Sequence, residues 1–143
     1  IIATKLNKYL ADLHVLYSKL HNYHWNVVGI GFFEMHLKLE EFYTATAIEI
    51  DTVAERILQL EETPLASMKS YLEVSTLKEA ESVKIKPANA AGDILNDYEA
   101  VLKEIREIVL LASENNDDQT VALLDGAIAN YEKQIWMLSA YLD

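Results

Sequence analysis

Four long segments of the chain repeat apolar residues at the period of an α-helix. The same amphipathic pattern predicts helices over residues 4–28, 33–60, 90–113 and 119–142. The 143 residues include only four Gly and two Pro, which suits long helices and argues against a β-sandwich or barrel. In the first segment the apolar positions fall at steps of three, one and four: Leu6, Tyr9, Leu10, Leu13, Leu16, Tyr17 and Leu20.

Local signals predict where these helices begin and end. Thr4 is the predicted N-cap of the first helix, and Gly29 and Gly31 lie just past its end, where glycine is common. The Thr-Pro pair at 63–64 is expected to stop the second helix, because the residue before a proline avoids the helical region. The Asn-Asn-Asp-Asp run at 115–118 predicts a turn that also caps the last helix. The predicted core stripe of the second helix contains Met35, Leu39, Phe42, Ile50, Ala54, Ile57 and Leu58.

The connections between the helices set the topology. Short turns join the first helix to the second and the third to the fourth, so each of these pairs is expected to be antiparallel. Between the second and third helices the chain is long and polar, and a short helix of about two turns is predicted over residues 65–72. We therefore predict an all-α, ferritin-like four-helix bundle with a short helix in the long crossover between helices 2 and 3. Residues 1–143 are expected to form a single domain.

Charge and composition exclude several classes of function. The net charge of −11 opposes binding of nucleic acid to the folded surface, because that affinity comes mainly from Lys and Arg on phosphates. The same charge is compatible with attracting cations, and it also serves plain solubility. The absence of cysteine rules out disulfides and thiolate metal sites. No apolar run is long enough to span a membrane and no signal-peptide pattern is present, so we expect a cytoplasmic protein with no membrane partner.

Side chains that bind hard or borderline metal ions are concentrated between residues 24 and 55. They are two histidines and three carboxylates: His24, His36, Glu40, Asp51 and Glu55. His36 and Glu40 are four residues apart, so this pair lies on one face of a helix, one turn apart. The same spacing separates Asp51 from Glu55. Either pair alone is common on acidic helices, but the five together, without a thiolate, favour a site for iron, manganese or zinc over copper(I).

The distance between the two pairs constrains how they act. In one helix over 33–60 all four side chains lie within about 100° of one another, yet Glu40 and Asp51 are roughly 16 Å apart along the axis. Either the pairs serve separate purposes, or they meet across two chains. In an antiparallel pair of identical helices centred between residues 45 and 46, His36 faces Glu55. Glu40 faces Asp51 in the same pairing, and the residues between the pairs are small, so we interpret this helix as the seam of a two-fold dimer.

Several motifs give the chain a strong resemblance to a known family. The run H-W-N at residues 24–26 is followed by a glycine, by F-F, by H-x-x-x-E from residue 36 and by D-x-x-A-E-R from residue 51. The opening L-H-N-x-H-W, the segment P-L-A-S-M-K-x-Y-L after the second helix and the final I-W-M-L-x-A-Y-L belong to the same pattern. The sequence resembles the Dps family, the ferritin-like miniferritins named DNA-binding protein from starved cells, over essentially the whole chain.

The resemblance implies a hollow shell of twelve subunits, built from two-fold dimers. It implies oxidation of Fe(II), preferentially with hydrogen peroxide, storage of Fe(III) as a mineral inside the shell, and no haem. The ferroxidase sites would lie at the dimer interfaces, and Trp25 would lie beside them, where it takes up oxidising equivalents or serves in packing. The ligands carried over by position divide between two subunits, and the partner supplies the last two: His24, His36, Glu40, Asp51 and Glu55.

Two positions depart from the family pattern. Glu40 stands where the family often has Asp, and its extra methylene shifts the carboxylate oxygen but keeps the charge, which is expected to tune the second iron position. The resemblance also implies acidic three-fold pores for iron entry, for which Asp117, Asp118 and Asp125 are the candidates. Ala122 stands where many relatives carry a pore Asp. The alternative for Asp117 and Asp118 is that they only cap the helix.

Three other functions are alternatives. A classical ferritin or bacterioferritin uses an intrasubunit di-iron centre with Glu-x-x-His on helices, but no histidine here has a glutamate three residues before it. A DNA-compacting Dps-type protein needs a Lys-rich tail, whereas only Lys5 and Lys8 lie near the N-terminus and the sequence ends Ser-Ala-Tyr-Leu-Asp, so we expect no strong DNA binding. The third alternative is a purely structural helical bundle with incidental carboxylates.

Overall fold

Five α-helices make up the computed structural model, which describes all residues 1–143. They are α1 (Ile2–Asn26), α2 (Phe32–Gln59), α3 (Met68–Val74), α4 (Pro87–Glu114) and α5 (Asp118–Leu142). The short α3 lies in the crossover between the second and third long helices, so the predicted all-α four-helix bundle is confirmed. None of the five helices combines the length and the apolarity that crossing a bilayer requires.

A Schellman motif, and not the following Thr-Pro pair, ends α2. Glu61 adopts a left-handed φ of 63°. The amide of Glu62 donates to the carbonyl of Ile57 over 3.1 Å, and the amide of Glu61 donates to the carbonyl of Leu58 over 2.9 Å. These two bonds satisfy carbonyls that the end of a helix otherwise leaves without partners. The same arrangement ends α4, with Asn116 in the left-handed position at φ 58°.

The two predicted N-caps have different outcomes. The amide of Lys5 donates to the carbonyl of Ile1 over 3.1 Å, so the helix already begins at residue 2. Thr4 therefore lies inside α1, and the prediction that it caps the helix is wrong. Asp117 caps α5 as predicted, because its carboxylate accepts a hydrogen bond from the amide of Thr120 over 3.1 Å.

Aromatic side chains join the helices at the centre of the bundle. Phe42 of α2 and Tyr98 of α4 meet with their ring planes at 62° and their centroids 5.3 Å apart. Tyr98 meets Tyr131 of α5 in the same edge-on manner at 5.0 Å. The hydroxyl of Tyr131 lies 3.4 Å from that of Tyr9 in α1. Such edge-to-face pairs add about 0.5–1.5 kcal/mol each beyond the burial of their surface.

One face of α2 is buried and the opposite face carries large exposed apolar side chains. The core contains Met35, Leu39, Phe42, Thr46, Val53 and Ile57. The prediction that Leu58 belongs to this stripe is wrong, because a step of 100° carries it away from the direction of Ile57 and leaves it 57% exposed. Ile50 and Ala54 are only partly buried against the core. The exposed apolar residues of α2 include Leu37, Ile48 and Leu58.

Polar side chains of α1 hold the crossover against the bundle. The Asn7 carboxamide bonds the backbone at residues 63 and 65. The Asp12 carboxylate accepts from the hydroxyl at residue 75 and the amide at residue 76, and the Asn22 carboxamide donates to the carbonyls at residues 80 and 81. The crossover is therefore fixed along most of its length by one helix.

A carboxylate pair bridged by Lys8 should make stability depend on pH. The Nζ of Lys8 lies 2.6 Å from Asp12 and 3.0 Å from Glu104. Burial, helped by the hydrogen bond to Asp12 and opposed by Lys8, raises the pKa of Glu104 from 4.5 to about 7. The folded state therefore binds this proton more tightly than the unfolded state. The stability that this proton adds to the folded state is fully present below about pH 4.5 and is lost as the pH rises through 7.

We expect Glu104→Gln to unfold at higher urea than the wild type at pH 8 and at nearly the same urea at pH 4.5. At pH 8 the free energy of unfolding of the variant should exceed that of the wild type by roughly 1–3 kcal/mol, since one pKa unit corresponds to about 1.4 kcal/mol. Glu107→Gln, which changes an exposed neighbour on the same helix, is the matched control and should change the free energy of unfolding by no more than about 0.5 kcal/mol. Equal differences at both pH values would show that Glu104 is not the titrating group.

Gly31, which precedes α2, should not tolerate a side chain. Its φ is 91°, and a Cβ there would lie 3.3 Å from the Tyr141 hydroxyl and 3.7 Å from Pro87. We expect Gly31→Ala to lower the free energy of unfolding by about 1–2 kcal/mol, since left-handed backbone disfavours a Cβ. Gly126→Ala is the matched control, because a Cβ added there would meet no atom within 4 Å apart from the adjacent backbone of α5. Gly126→Ala should raise the free energy of unfolding by roughly 0.5–1 kcal/mol. Thermal denaturation of both variants measures the two changes.

Candidate metal site

Two histidines from neighbouring helices hold each other in a fixed orientation. The Nδ1 of His24 lies 2.7 Å from the backbone oxygen of His36, and the Nδ1 of His36 lies 2.7 Å from the backbone oxygen of His24. The rings stack with centroids 3.8 Å apart and planes at 12°. Because a carbonyl oxygen only accepts, each Nδ1 must donate a hydrogen, which leaves the lone pair of each neutral ring on Nε2. A histidine that binds a metal through one nitrogen is held in the same way through the other.

The tight turn between α1 and α2 brings these rings together. Gly29 and Gly31 both have positive φ, at 109° and 91°, and they reverse the chain within residues 27–31. His24 lies in the last turn of α1, where backbone carbonyls lack helical partners, so the ring of His36 also satisfies the end of that helix. The ring of Phe32 stacks on the ring of His36, with centroids 5.0 Å apart.

Glu40 adds a carboxylate to the histidine pair. Its Oε1 lies 3.9 Å from the Nε2 of His24, and its side chain is 54% exposed. Two atoms that each bind one ion at ~2.1 Å are at most ~4.2 Å apart, so a single ion fits between them. The donors of His24 and Glu40, with the ring of His36 stacked beside that of His24, are of the types that suit Fe(II), but the three do not form a complete site within one chain.

The other two predicted ligands lie on the same helix but far from the histidines. α2 is continuous, so Asp51 is roughly 16 Å further along the axis than Glu40, at 1.5 Å per residue. Asp51 and Glu55 are both exposed, and neither has an ion-pair partner. No group of three His, Asp or Glu in the single chain is placed to hold an ion by itself. The meeting of the two pairs across a dimer therefore stays a prediction.

An aromatic cluster adjoins the histidines. Trp25 is the only member of this cluster that the sequence analysis placed beside the site. Tyr43 meets His24 edge-on, with centroids 5.2 Å apart and planes at 81°. His21 packs on Tyr43 at 4.1 Å and stacks on Trp25 at 5.1 Å, and Tyr17 meets Tyr43 at 6.3 Å. Trp25 is 69% exposed. The signal was available, because residues 17, 21 and 25 are four apart and Tyr43 follows Glu40 by one turn.

The three pore candidates lie in different surroundings. Burial by itself would raise the pKa of Asp117, but hydrogen bonds from Thr120 and the Arg56 guanidinium lower it overall. Arg56 donates to Asp117 over 2.7 Å and thereby ties the end of α2 to the start of α5, a link that sequence reasoning missed. Asp117 thus caps α5, and its place in a pore stays a prediction. Asp118 and Asp125 are exposed, and their place in a pore stays a prediction.

Comparison with known proteins gives the same family over nearly the whole chain. Residues 3–143 match the Ferritin family, described as a ferritin-like domain. The chain is 44% identical over 138 residues to DNA protection during starvation protein 2 of Bacillus anthracis, covering 96% of this chain and 94% of that protein. It superposes on a Dps protein from Bacillus brevis with a TM-score of 0.96 and 39% identity, covering 99% of this chain and 95% of the other.

A second solved structure connects the fold to a class of metalloproteins. It is the Dps protein of Vibrio cholerae O1, described as a member of a broad superfamily of ferritin-like diiron-carboxylate proteins. The TM-score is 0.96 at 38% identity, covering 99% of this chain and 89% of that one. The bundle with its helix-bearing crossover, the histidine pair at the α1–α2 turn and the full-length similarity agree, and the chain belongs to the Dps family of ferritin-like proteins.

Proposed function

We propose that this protein is a ferroxidase that stores and detoxifies iron. It oxidises Fe(II), preferentially with hydrogen peroxide, and thereby protects against oxidative stress. The observation that supports this most directly is the reciprocal hydrogen bonding of His24 and His36, which frees both Nε2 atoms for an ion beside the Glu40 carboxylate. Satisfying the end of α1 requires only the ring of His36 to be fixed in this tautomer, whereas the ring of His24 is fixed in the same way.

The complete site is proposed to form between two subunits. The exposed face of α2 has acidic ends, and its middle carries small and apolar side chains that suit a helix–helix contact. When two such helices pair in antiparallel fashion, Asp51 and Glu55 of the partner subunit complete the ligands His24, His36 and Glu40. The carboxylates then stabilise the extra positive charge of Fe(III), and bound iron removes the repulsion among them.

The chemistry consumes both reagents that generate hydroxyl radicals. Two Fe(II) ions give one electron each to hydrogen peroxide, and with two protons the products are two Fe(III) ions and two waters. The oxygen–oxygen bond breaks with both electrons supplied inside the site, so no radical leaves it. Fe(III) is then stored as mineral inside a hollow shell, which we propose to be a cytoplasmic 12-mer of two-fold dimers, each chain being one domain over residues 1–143 and carrying no haem.

The relatives' names refer to DNA protection, and we propose that this chain protects by consuming iron and peroxide. The net charge of −11 opposes direct contact with phosphates. In a gel-shift experiment at low salt, where such contacts are strongest, we expect the DNA to migrate freely. Retention of the DNA would contradict this part of the proposal.

The proposed function is tested by adding Fe(II) and peroxide to the metal-free protein under anaerobic conditions. We expect two Fe(II) oxidised per peroxide consumed, little spin-trapped hydroxyl radical, and iron that elutes with the protein on size exclusion. Replacing both histidines, His24→Ala with His36→Ala, should return the reaction to its rate in buffer. If the unmodified protein neither speeds the reaction nor retains iron, the chain is a structural bundle with incidental carboxylates.

A further inference from the structure

The end of α1 is held on the side away from the histidine pair. Asn22 and Asn26 are one helical turn apart and share one face of α1. His24 lies between them in the sequence, so at about 100° per residue its side chain projects from nearly the opposite face. That face carries the ring to the backbone of His36 in α2, whereas the Asn22 face meets the crossover. The last turns of α1 therefore lie between the crossover and the candidate metal site.

The Asn22 carboxamide makes three hydrogen bonds at this contact. Its Nδ2 donates to the carbonyls of Ala80 over 3.3 Å and Glu81 over 3.0 Å. Its Oδ1 accepts from the Nδ2 of Asn26 over 2.8 Å. A carboxamide offers two hydrogens and an acceptor oxygen, whereas a carboxylate has no hydrogen to donate and a hydroxyl has only one. The contact therefore uses the groups that distinguish asparagine from aspartate and serine.

Backbone hydrogen bonds extend this contact to the start of the α1–α2 turn. The amide of Ile85 donates to the carbonyl of Asn26 over 3.2 Å, and the amide of Val28 donates to the carbonyl of Ile85 over 2.9 Å. The side chains of Ala80 and Ile85 pack against the hydrophobic core. Because the crossover segment 80–85 is anchored to the bundle in this way, it can hold the end of α1 in place.

We propose that Asn22 is a positioning residue of the metal site, which holds the end of α1 against the crossover and so sets where the Nε2 of His24 meets the ion. This inference rests on the proposed function, because it takes His24 as an iron ligand. The hydrogen bond of the His24 Nδ1 orients the ring relative to α2, and Asn22 fixes the helix end from which the ring projects. Carbonyls in the last turn of a helix lack helical partners, so without Asn22 this turn is free to move. The Nε2 atom then loses its place 3.9 Å from the Oε1 of Glu40.

Titration of the metal-free, assembled protein with Co(II) tests the inference without turnover, because the visible absorption of Co(II) reports the geometry of its ligands. We expect Asn22→Leu to weaken Co(II) binding by roughly 10–100-fold, the loss typical of residues that orient a ligand, and to change the absorption spectrum. Asn22→Ser keeps one donor and should lose less affinity. His24→Ala should remove the spectrum, which identifies the bands that belong to this site.

Asn7→Leu is the matched control at the other end of α1. The Asn7 carboxamide also holds the crossover, by donating to the carbonyl of Thr63 over 3.1 Å and accepting from the amide of Leu65 over 2.8 Å. Its distance from His24 along the helix axis is roughly 25 Å, at 1.5 Å per residue. Urea denaturation should show both leucine variants to be less stable than the wild type, but only Asn22→Leu should bind Co(II) more weakly.

The possible results separate the positioning role from the proposed function. Wild-type Co(II) binding in a folded Asn22→Leu or Asn22→Ser, or an equal loss of binding in Asn7→Leu, would overturn the inference and leave the proposed function standing. Co(II) binding that His24→Ala does not change would remove that histidine from the site and overturn both. A wild type that binds Co(II) through His24 but does not oxidise Fe(II) with peroxide would overturn the proposed function alone.

Discussion

Subunits carrying His36→Ala and subunits carrying Asp51→Ala should each be inactive alone and should recover peroxide-driven Fe(II) oxidation when they are co-assembled. In a mixed dimer one site carries both changes and the other carries neither, because each proposed site takes its ligands from two chains. Random pairing of equal amounts should restore about a quarter of the wild-type activity. Each variant alone should lose more than the roughly 10–100-fold typical of residues that only support a ligand.

The experiment unfolds both variants, mixes them, refolds them and confirms mixed assembly by mass spectrometry before the assay. Two controls change residues of the same types outside the site: His14→Ala, whose ring stacks on Tyr71, and Glu107→Ala on the exposed side of α4. Both should keep their activity. A mixture that stays inactive despite proven mixed assembly would place a complete site in each chain. Full activity in either single variant would remove that residue from the ferroxidase centre.

Lys19→Met should destabilise the bundle more than any other substitution discussed for this chain. The Nζ of Lys19 is buried between α1 and α4, 2.8 Å from Asp97 and 3.0 Å from Asp93. Burial already raises the pKa of Asp97, and Lys19 is the cation that opposes this rise. Removing it leaves a buried carboxylate without its partner, which should lower the free energy of unfolding by about 3–5 kcal/mol.

The change is measured by urea denaturation at fixed protein concentration, since assembly adds to the apparent stability. Lys69→Met is the matched control, because Lys69 forms an exposed pair with Glu73 at 4.0 Å, and its loss should change stability by less than about 1 kcal/mol. Adding Asp97→Asn to Lys19→Met should recover part of the loss. Equal effects of the two lysine changes would mean that the buried pair contributes no more than a surface one.

The helices could be predicted from the sequence because their apolar period extends over many turns. Where a predicted helix end was wrong, local interactions at the helix terminus determined the actual end. The Schellman bonds at Glu61 end α2 before the proline does, and no glycine marked that position. α4 begins at Pro87, three residues before its predicted start, although proline is favoured in the first turn of a helix. The predicted start of α4 was three residues late because it followed the apolar period alone.

The site could be predicted only in its residue types. Residue type marked His24 as a candidate ligand, spacing along one helix placed Glu40 one turn from His36, and the resemblance assigned all three to one subunit. The hydrogen bonds that fix both rings involve backbone carbonyls, which are the same in every residue type, so only the three-dimensional structure reveals them. Tyr43 was missed for a related reason: aromatic residues at helical spacing occur in every core, and only its contact with His24 distinguishes it.

The hydrogen bond from the His36 ring to the backbone carbonyl of His24 gives this side chain two separate roles. The same ring that offers Nε2 to an ion satisfies the last turn of α1 through Nδ1. Asparagine or glutamine could keep the helix end but would be a poor iron ligand, and aspartate could bind iron but has no hydrogen to donate. Evolution therefore has few single steps away from histidine at this position. Most replacements of His36 therefore lose catalysis and the turn geometry together, and a descendant that abandoned iron chemistry could keep the turn in one step only through asparagine or glutamine.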